Sequence, residues 1–241
     1  MRYFIEVSYK GTNYSGFQIQ QNAATIQGKI ENALLILLRQ PVTLTCSSRT
    51  DAGVHALQNY FHFNIDEPIN ATTTYKVNAI LPADISIKNI IQVNDEAHSR
   101  FDALSREYAY LISPYKNPFT IDTALYYPFK PNVQILNEVA AYFLLQNNFY
   151  AFSKTNTQVN NFICTLYQSY WEEKDGLLIY HVQGNRFLRG MVRALVATML
   201  AAARNKLGMQ QIESLFTTEK KCGLSIDATG LHLVRVEYPF I

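Results

Sequence analysis

Arg49, Thr50 and Asp51 place a guanidinium, a hydroxyl and a carboxylate in three consecutive residues, and Gly53 follows two positions later. Glycine adopts positive φ without steric cost, so the chain can turn sharply just after Asp51. Ala52 is too small to shield the carboxylate, which would leave it open to a substrate. The commonplace alternative is an aspartate that only caps a turn through its own backbone, and composition alone favours that interpretation.

The flanking sequence predicts two strands that would hold this loop. Apolar and polar residues alternate over 42–47 and again over 60–65. A period of two is typical of half-buried strands. Asp51 is therefore predicted to lie on a tight loop between two neighbouring strands.

A second basic segment contains Arg186, Arg189 and Arg193. Leu188 and the apolar residues that follow it predict a long helix, on which Arg189 and Arg193 would share a face one turn apart. This face could meet an anion, or it could be an ordinary solvated helix surface. Tyr108 lies in a predicted strand, where pattern alone favours a core or cross-strand role.

Composition indicates a folded protein without a membrane span. The chain has 241 residues, of which 48% are hydrophobic and 17% are charged. Its longest apolar runs, such as 33–38, are too short to cross a bilayer. The first residues do not resemble a signal peptide, so we expect a cytoplasmic protein. The formal charge of +2 requires any RNA-binding face to be local.

The residue types that bind metals and cofactors show no suitable spacing. The three cysteines are far apart, and the five histidines have no ligand pattern. The sequence contains no phosphate-binding loop and no dinucleotide fingerprint. We therefore expect no metal and no cofactor.

The predicted elements follow the order β-α-β-β-α-β twice, with the second series starting near residue 104. This order predicts an α+β protein with two pseudo-symmetric ferredoxin-like, RRM-like halves. Their antiparallel sheets would form a central cleft, a common kind of RNA-binding surface. The expected domains are 1–103, which carries the Asp51 loop, and 104–241. In the first half Thr25 is predicted to cap a helix whose first apolar position is Ile26. In the second half the helices are predicted near 133–144 and from 188 onward, and a hairpin is predicted over 162–184.

The eight residues from Arg49 to Ala56, Arg-Thr-Asp-Ala-Gly-Val-His-Ala, resemble the catalytic motif of the bacterial tRNA pseudouridine synthase A family. The resemblance implies that Asp51 is the essential aspartate of that family. It also implies a cofactor-free isomerisation of uridine to pseudouridine at positions 38, 39 and 40 of the tRNA anticodon stem-loop. The expected assembly is a homodimer in which one tRNA contacts both subunits.

Two more segments resemble family signatures and assign further residues. In 184–193, the arginine that would meet the catalytic aspartate is Arg193. In 101–110, the tyrosine that would stack on the target uracil is Tyr108. Arg49 would then help to displace the base. The sequence departs from the family at Ser48, where glycine is usual, and before Gly230, where a common proline is absent.

Two other functions use the same residues differently. A non-catalytic RNA-binding module on this fold would keep basic and aromatic residues, but a carboxylate there would repel phosphates. A hydrolase with an aspartate nucleophile would need a paired acid or base, and no second carboxylate motif is apparent.

Overall fold

The chain forms two compact units in a computed structural model that describes residues 1–155 and 160–241. The first unit comprises residues 1–104 together with 232–241, and the second comprises residues 105–231. Each unit combines helices with β-strands, so the α+β class is confirmed. None of the helices within the described ranges is both long enough and apolar enough to span a membrane.

The first 104 residues contain six regular elements in the predicted order. The elements are β1 (Arg2–Tyr9), α1 (Ile26–Leu38), β2 (Thr45–Cys46), β3 (His55–Asn64), α2 (Thr73–Ile80) and β4 (Ile85–Val93). The strands lie in the order β4-β1-β3-β2, and each neighbouring pair is antiparallel. Thr25 accepts a hydrogen bond from the backbone N–H of Gly28 and so caps α1, as its position predicts.

Large apolar side chains fill the core beneath this sheet. Phe61 and Phe63 of β3 alternate with polar positions in the sequence and are almost completely buried. Phe17 stacks on Phe61 with ring centroids 4.6 Å apart. The core thus fixes β3, the strand that follows the Asp51 loop.

The second unit also combines strands and helices. The elements are β5 (Ser105–Ser113), β6 (Leu125–Tyr126), α3 (Val133–Leu144), β7 (Leu166–Lys174), β8 (Leu177–Gly184), α4 (Met191–Ala203) and α5 (Met209–Thr217). Strand β8 lies between β5 and β7 and is antiparallel to both. The predicted hairpin is confirmed as β7 and β8, with Asp175 and Gly176 at positive φ in its turn. The two-residue strand β6 pairs with β5 in a parallel direction.

The helix that carries Arg193 starts later than the sequence predicted. Gly190 has a φ of +76°, a left-handed conformation that glycine accepts readily and that cannot belong to a right-handed helix. Consequently α4 begins at Met191, and Arg189 lies outside it. The prediction that Arg189 and Arg193 share a helical face is wrong. Strand β6 and helix α5 were not predicted.

The last strand, β9 (Leu231–Glu237), pairs with β3 in a parallel direction, with His232 opposite His55. The backbone N–H of Val236 donates to Oε1 of Gln58 at 3.1 Å. The sequence predicted this strand as the last element of the second half. In the structure, residues 232–241 belong to the first unit.

Candidate active site

Asp51 lies on the loop between β2 and β3, in a stretch whose side chains alternate between inside and outside. Ser48 and Thr50 are buried, Arg49 is exposed, and Asp51 is half-buried. This pattern is typical of an extended chain. Neither Arg49 nor Asp51 is among the buried side chains of this stretch.

Buried hydrogen bonds fix the backbone on both sides of Arg49. The amide of Asn59 donates to the carbonyl of Ser48 at 3.0 Å and to the Tyr9 hydroxyl at 3.1 Å. The Tyr9 hydroxyl is in turn 2.8 Å from Oγ1 of Thr50. The backbone N–H of Phe17 donates to the carbonyl of Thr50 at 3.1 Å. The loop before Asp51 is therefore held through groups that solvent does not reach.

A tight turn follows the carboxylate, as predicted. Gly53 has a φ of +77°, and the backbone N–H of Val54 donates to the carbonyl of Asp51 at 3.2 Å. A side chain at position 53 would be strained in this conformation. The turn lets the chain enter β3 at His55, directly after Asp51 has begun the turn.

The Arg49 side chain also acts on a neighbouring thiol. Burial raises the pKa of Cys46 to about 11, and the positive charge and hydrogen bonding of Arg49 partly oppose this increase. The guanidinium of Arg49 is therefore close to Cys46, the last residue of β2. Ser48, the departure from the family pattern, is accommodated as a buried residue.

Tyr108 lies in the second unit, at the middle of β5 and opposite Val182 of β8. It is half-buried, so part of its ring faces solvent. The ring of Phe187 meets it edge-on, with centroids 5.1 Å apart and an interplanar angle of 79°. Such an edge contact supports the ring and keeps its orientation. Phe187 was not predicted as a supporting residue.

Arg193 lies in the first turn of α4, in the second unit, and is half-buried. Its Nε donates a hydrogen bond to the carbonyl of Ile226 at 2.6 Å. Two hydrogen bonds from Thr229 lower the pKa of the adjacent Asp227, and the charge of Arg193 lowers it further. The arginine is thus oriented by a specific acceptor rather than extended freely into solvent.

The segment that receives Arg193, residues 226–230, is itself fixed to β5. The hydroxyl of Tyr110 donates to the carbonyl of Asp227 at 2.7 Å. The backbone N–H of Leu111 donates to the carbonyl of Gly230 at 2.8 Å. These bonds hold the segment although it lacks the usual proline. Tyr110 was missed because a buried tyrosine in a strand has no distinguishing pattern.

The structure therefore contains two sets of candidate residues. Arg49 and Asp51 lie together on one loop of the first unit, and Tyr108 and Arg193 lie on β5 and α4 of the second. A half-buried carboxylate on a rigid loop can act as a nucleophile or a base. In the ranges 1–155 and 160–241, no three histidine, cysteine or acidic side chains are grouped as metal ligands would be.

Comparison with known proteins identifies the family. A family model described as tRNA pseudouridine synthase matches residues 139–239. The chain is 38% identical to tRNA pseudouridine synthase A of Parabacteroides distasonis, in an alignment that covers 99% of this chain and 96% of the relative. It is 33% identical to the protein of the same name from Staphylococcus aureus, over 98% of this chain and 90% of the relative. The chain therefore belongs to the tRNA pseudouridine synthase A family, and is a pseudouridine synthase, an enzyme of the isomerase class.

Proposed function

We propose that this chain converts uridine to pseudouridine at positions 38, 39 and 40 of the tRNA anticodon stem-loop, in the cytoplasm and as a homodimer. The observation that carries the proposal is the placement of Asp51. Its loop has the full Arg-Thr-Asp-Ala-Gly-Val-His-Ala motif, and buried bonds from Asn59 and Tyr9 hold it in place. The names of the relatives include tRNA, which supplies the substrate class.

The reaction breaks the bond from ribose C1′ to N1 of uracil and forms a bond from C1′ to C5. N1 gains a proton and C5 loses one to solvent, so the atoms balance and no redox change occurs. Asp51 either attacks the nucleotide or removes a proton from it. Both roles require an ionised carboxylate, and a neighbouring cation favours that form.

Each of the other site residues has a proposed role. Arg193 keeps Asp51 ionised, Tyr108 stacks on the target uracil, and Arg49 helps to extrude the base from its stack. Extrusion costs a few kcal/mol, which contacts to the flipped base must offset. The partly exposed ring of Tyr108 and the exposed Arg49 side chain suit these roles.

The fold suits this proposal as well. We propose two ferredoxin-like halves, 1–103 and 104–241, which form a central cleft for RNA. The strand order β4-β1-β3-β2 of the first 104 residues supports this plan for the first half. A non-catalytic RNA-binding module is inconsistent with membership of an enzyme family.

Tritium release from tRNA labelled at C5 of uridine tests the proposal. We expect release by the parent protein and a loss of about 10²–10⁴-fold in Asp51→Asn, which keeps the shape but removes the charge. The matched control is Asp66→Asn, since Asp66 is an exposed loop aspartate. Circular dichroism verifies that both variants fold.

Two results would contradict the proposal. If the parent binds tRNA but releases no tritium, the proposed uridine isomerisation is wrong. If Asp51→Asn releases tritium at the rate of Asp66→Asn, the proposed role of Asp51 is wrong. Sequencing of the product tRNA locates the modified positions, and light scattering tests the homodimer.

A further inference from the structure

The loop that ends the first series of elements displays an aromatic ring next to a cation. Phe101 is 74% exposed, and Arg100 beside it is exposed as well. The guanidinium carbon of Arg100 lies 5.8 Å from the centroid of the Phe101 ring. A phenyl ring exposed to this extent forgoes most of the stabilisation that its burial would give. This feature is not used by the proposed chemistry at Asp51.

The loop is rigid, because its backbone groups are bonded within a few residues. Nδ1 of His98 accepts from the backbone N–H groups of Arg100 and Phe101, at 3.1 Å and 3.4 Å. The backbone N–H of His98 donates to Asp102 at 2.7 Å. The His98 ring also lies against the Phe101 ring, with centroids 4.3 Å apart. Phe101 is thus presented in one orientation.

Ser99 attaches this loop to the strand that leads to Asp51. It is completely buried, and its hydroxyl donates to the carbonyl of Thr45 at 2.8 Å. Its backbone N–H donates to Nδ1 of His62 at 3.1 Å, and its carbonyl accepts from the Tyr238 hydroxyl. Arg100 and Phe101 are therefore held beside β2, whose two residues precede Asp51 by six and five positions in the chain.

Two arginines, Arg49 and Arg100, lie near the buried Cys46 of β2. Both Arg49 and Arg100 lower the pKa of the buried Cys46 thiol against the dominant effect of burial. Two exposed guanidinium groups thus lie around one buried residue of β2. Cations spaced along a surface beside an exposed aromatic ring are typical of sites for single-stranded nucleic acid.

We propose that Arg100 and Phe101 form a second RNA contact, in which Phe101 stacks on an unpaired base beside the target nucleotide and Arg100 binds an adjacent phosphate. This inference rests on the proposed function and adds residues to its RNA-binding surface. The rigid loop avoids an ordering cost on binding, because the ring is already positioned. RNA fits better than a protein partner because a base can stack on the exposed Phe101 ring while the guanidinium of Arg100 pairs with a phosphate.

Fluorescence anisotropy with labelled tRNA tests the contact. We expect Phe101→Ala to raise Kd by about 5- to 100-fold and Phe101→Tyr to bind like the parent, since any aromatic ring can stack. We expect Arg100→Gln to reduce the slope of log Kd against log salt by about 0.7. Because Phe101 is exposed, the Ala variant should retain the parent's melting curve.

Helix α2 offers a matched control pair in the same unit. Tyr75 is 79% exposed and is followed by the exposed Lys76. We expect Tyr75→Ala and Lys76→Gln to leave both Kd and the salt slope unchanged. These variants remove the same kinds of group from a different face of the first unit.

Binding and chemistry are judged separately. The inference is wrong if Phe101→Ala binds tRNA as Tyr75→Ala does, or if Arg100→Gln keeps the parent's salt slope. That result, with normal tritium release by the parent, would leave the proposed function intact. If the parent binds tRNA but releases no tritium, the proposed function is wrong. The comparison of Kd between Phe101→Ala and Tyr75→Ala would still decide whether Phe101 contacts RNA.

Discussion

The Asp51 loop and the Arg193 region hold their functional groups in different ways. Asp51 is positioned through the backbone that precedes it, because the carbonyls of Ser48 and Thr50 accept hydrogen bonds from Asn59 and Phe17. Arg193 is positioned through its own side chain, which donates to the carbonyl of Ile226. A defect in the first arrangement should therefore reduce stability and activity together. A defect in the second should reduce activity far more than stability.

Asn59 is where the first arrangement is easiest to break. It is completely buried, and its amide donates to both Ser48 and Tyr9. Asn59→Ala leaves the Ser48 carbonyl without this donor in a dry environment. We expect the free energy of unfolding to fall by about 2–3 kcal/mol in urea titrations. Tritium release should fall as well, at a temperature where the variant is still folded.

Gln92→Ala is the control for this change. Gln92 is an exposed amide residue on β4 of the same unit. Its loss should change the free energy of unfolding by less than about 0.5 kcal/mol. Equal effects of the two substitutions would show that the Asp51 loop does not depend on Asn59.

Local pattern was sufficient for the parts of the fold that depend on neighbouring residues. Period-two alternation predicted β3, Thr25 predicted the start of α1, and Gly53 predicted the turn after Asp51. The start of α4 was wrong because the apolar pattern continues through Leu188, while the backbone conformation of Gly190 stops the helix. Helix α5 had a detectable signal, since Met209, Ile212 and Phe216 recur at helical spacing.

The supports of the site could not be predicted from local pattern. Tyr9 and Thr50 are 41 residues apart in the chain, and Tyr110 and Asp227 are 117 apart. A hydrogen bond between such residues depends on how the strands are arranged, which no single segment encodes. The motif of eight residues revealed Asp51 itself because its specificity does not require knowledge of the fold.

Acidification should affect the two units differently. Burial lowers the pKa of His62 to about 4 from the usual 6.5, with the nearby charges of Arg2 and His98 adding to the effect. Between these values the unfolded chain binds more protons, so stability is full above pH 6.5 and decreases as pH falls toward 4. Protonation of Nδ1 would also remove the acceptor for Ser99. In the Arg193 region, hydrogen bonds lower the pKa of Asp227 and keep it charged in this range.

Urea titrations at several pH values measure this difference. We expect the parent to lose about 1–2 kcal/mol over this range relative to His62→Gln, after allowance for solvent screening. The Gln variant retains a polar side chain but does not titrate. Parallel pH curves for the parent and His62→Gln would contradict the assignment of this effect to His62.

The hydroxyl of Tyr110 offers the smallest and most selective test. Tyr110 and Tyr180 are both completely buried in the second unit, and burial raises the pKa of each hydroxyl above its usual value. The Tyr110 hydroxyl holds the segment that receives Arg193, whereas that of Tyr180 bonds to Ser169 at 2.8 Å. Each Tyr→Phe change should cost about 1 kcal/mol of stability.

Activity should distinguish these two variants although stability does not. In Tyr110→Phe the carbonyl of Ile226 is less well placed, so we expect single-turnover tritium release to slow by about 10- to 100-fold. Tyr180→Phe should release tritium at the parent's rate. If both variants release at that rate, the orientation of Arg193 does not depend on the 226–230 segment. The proposed difference between the Arg193 region and the Asp51 loop would then be wrong.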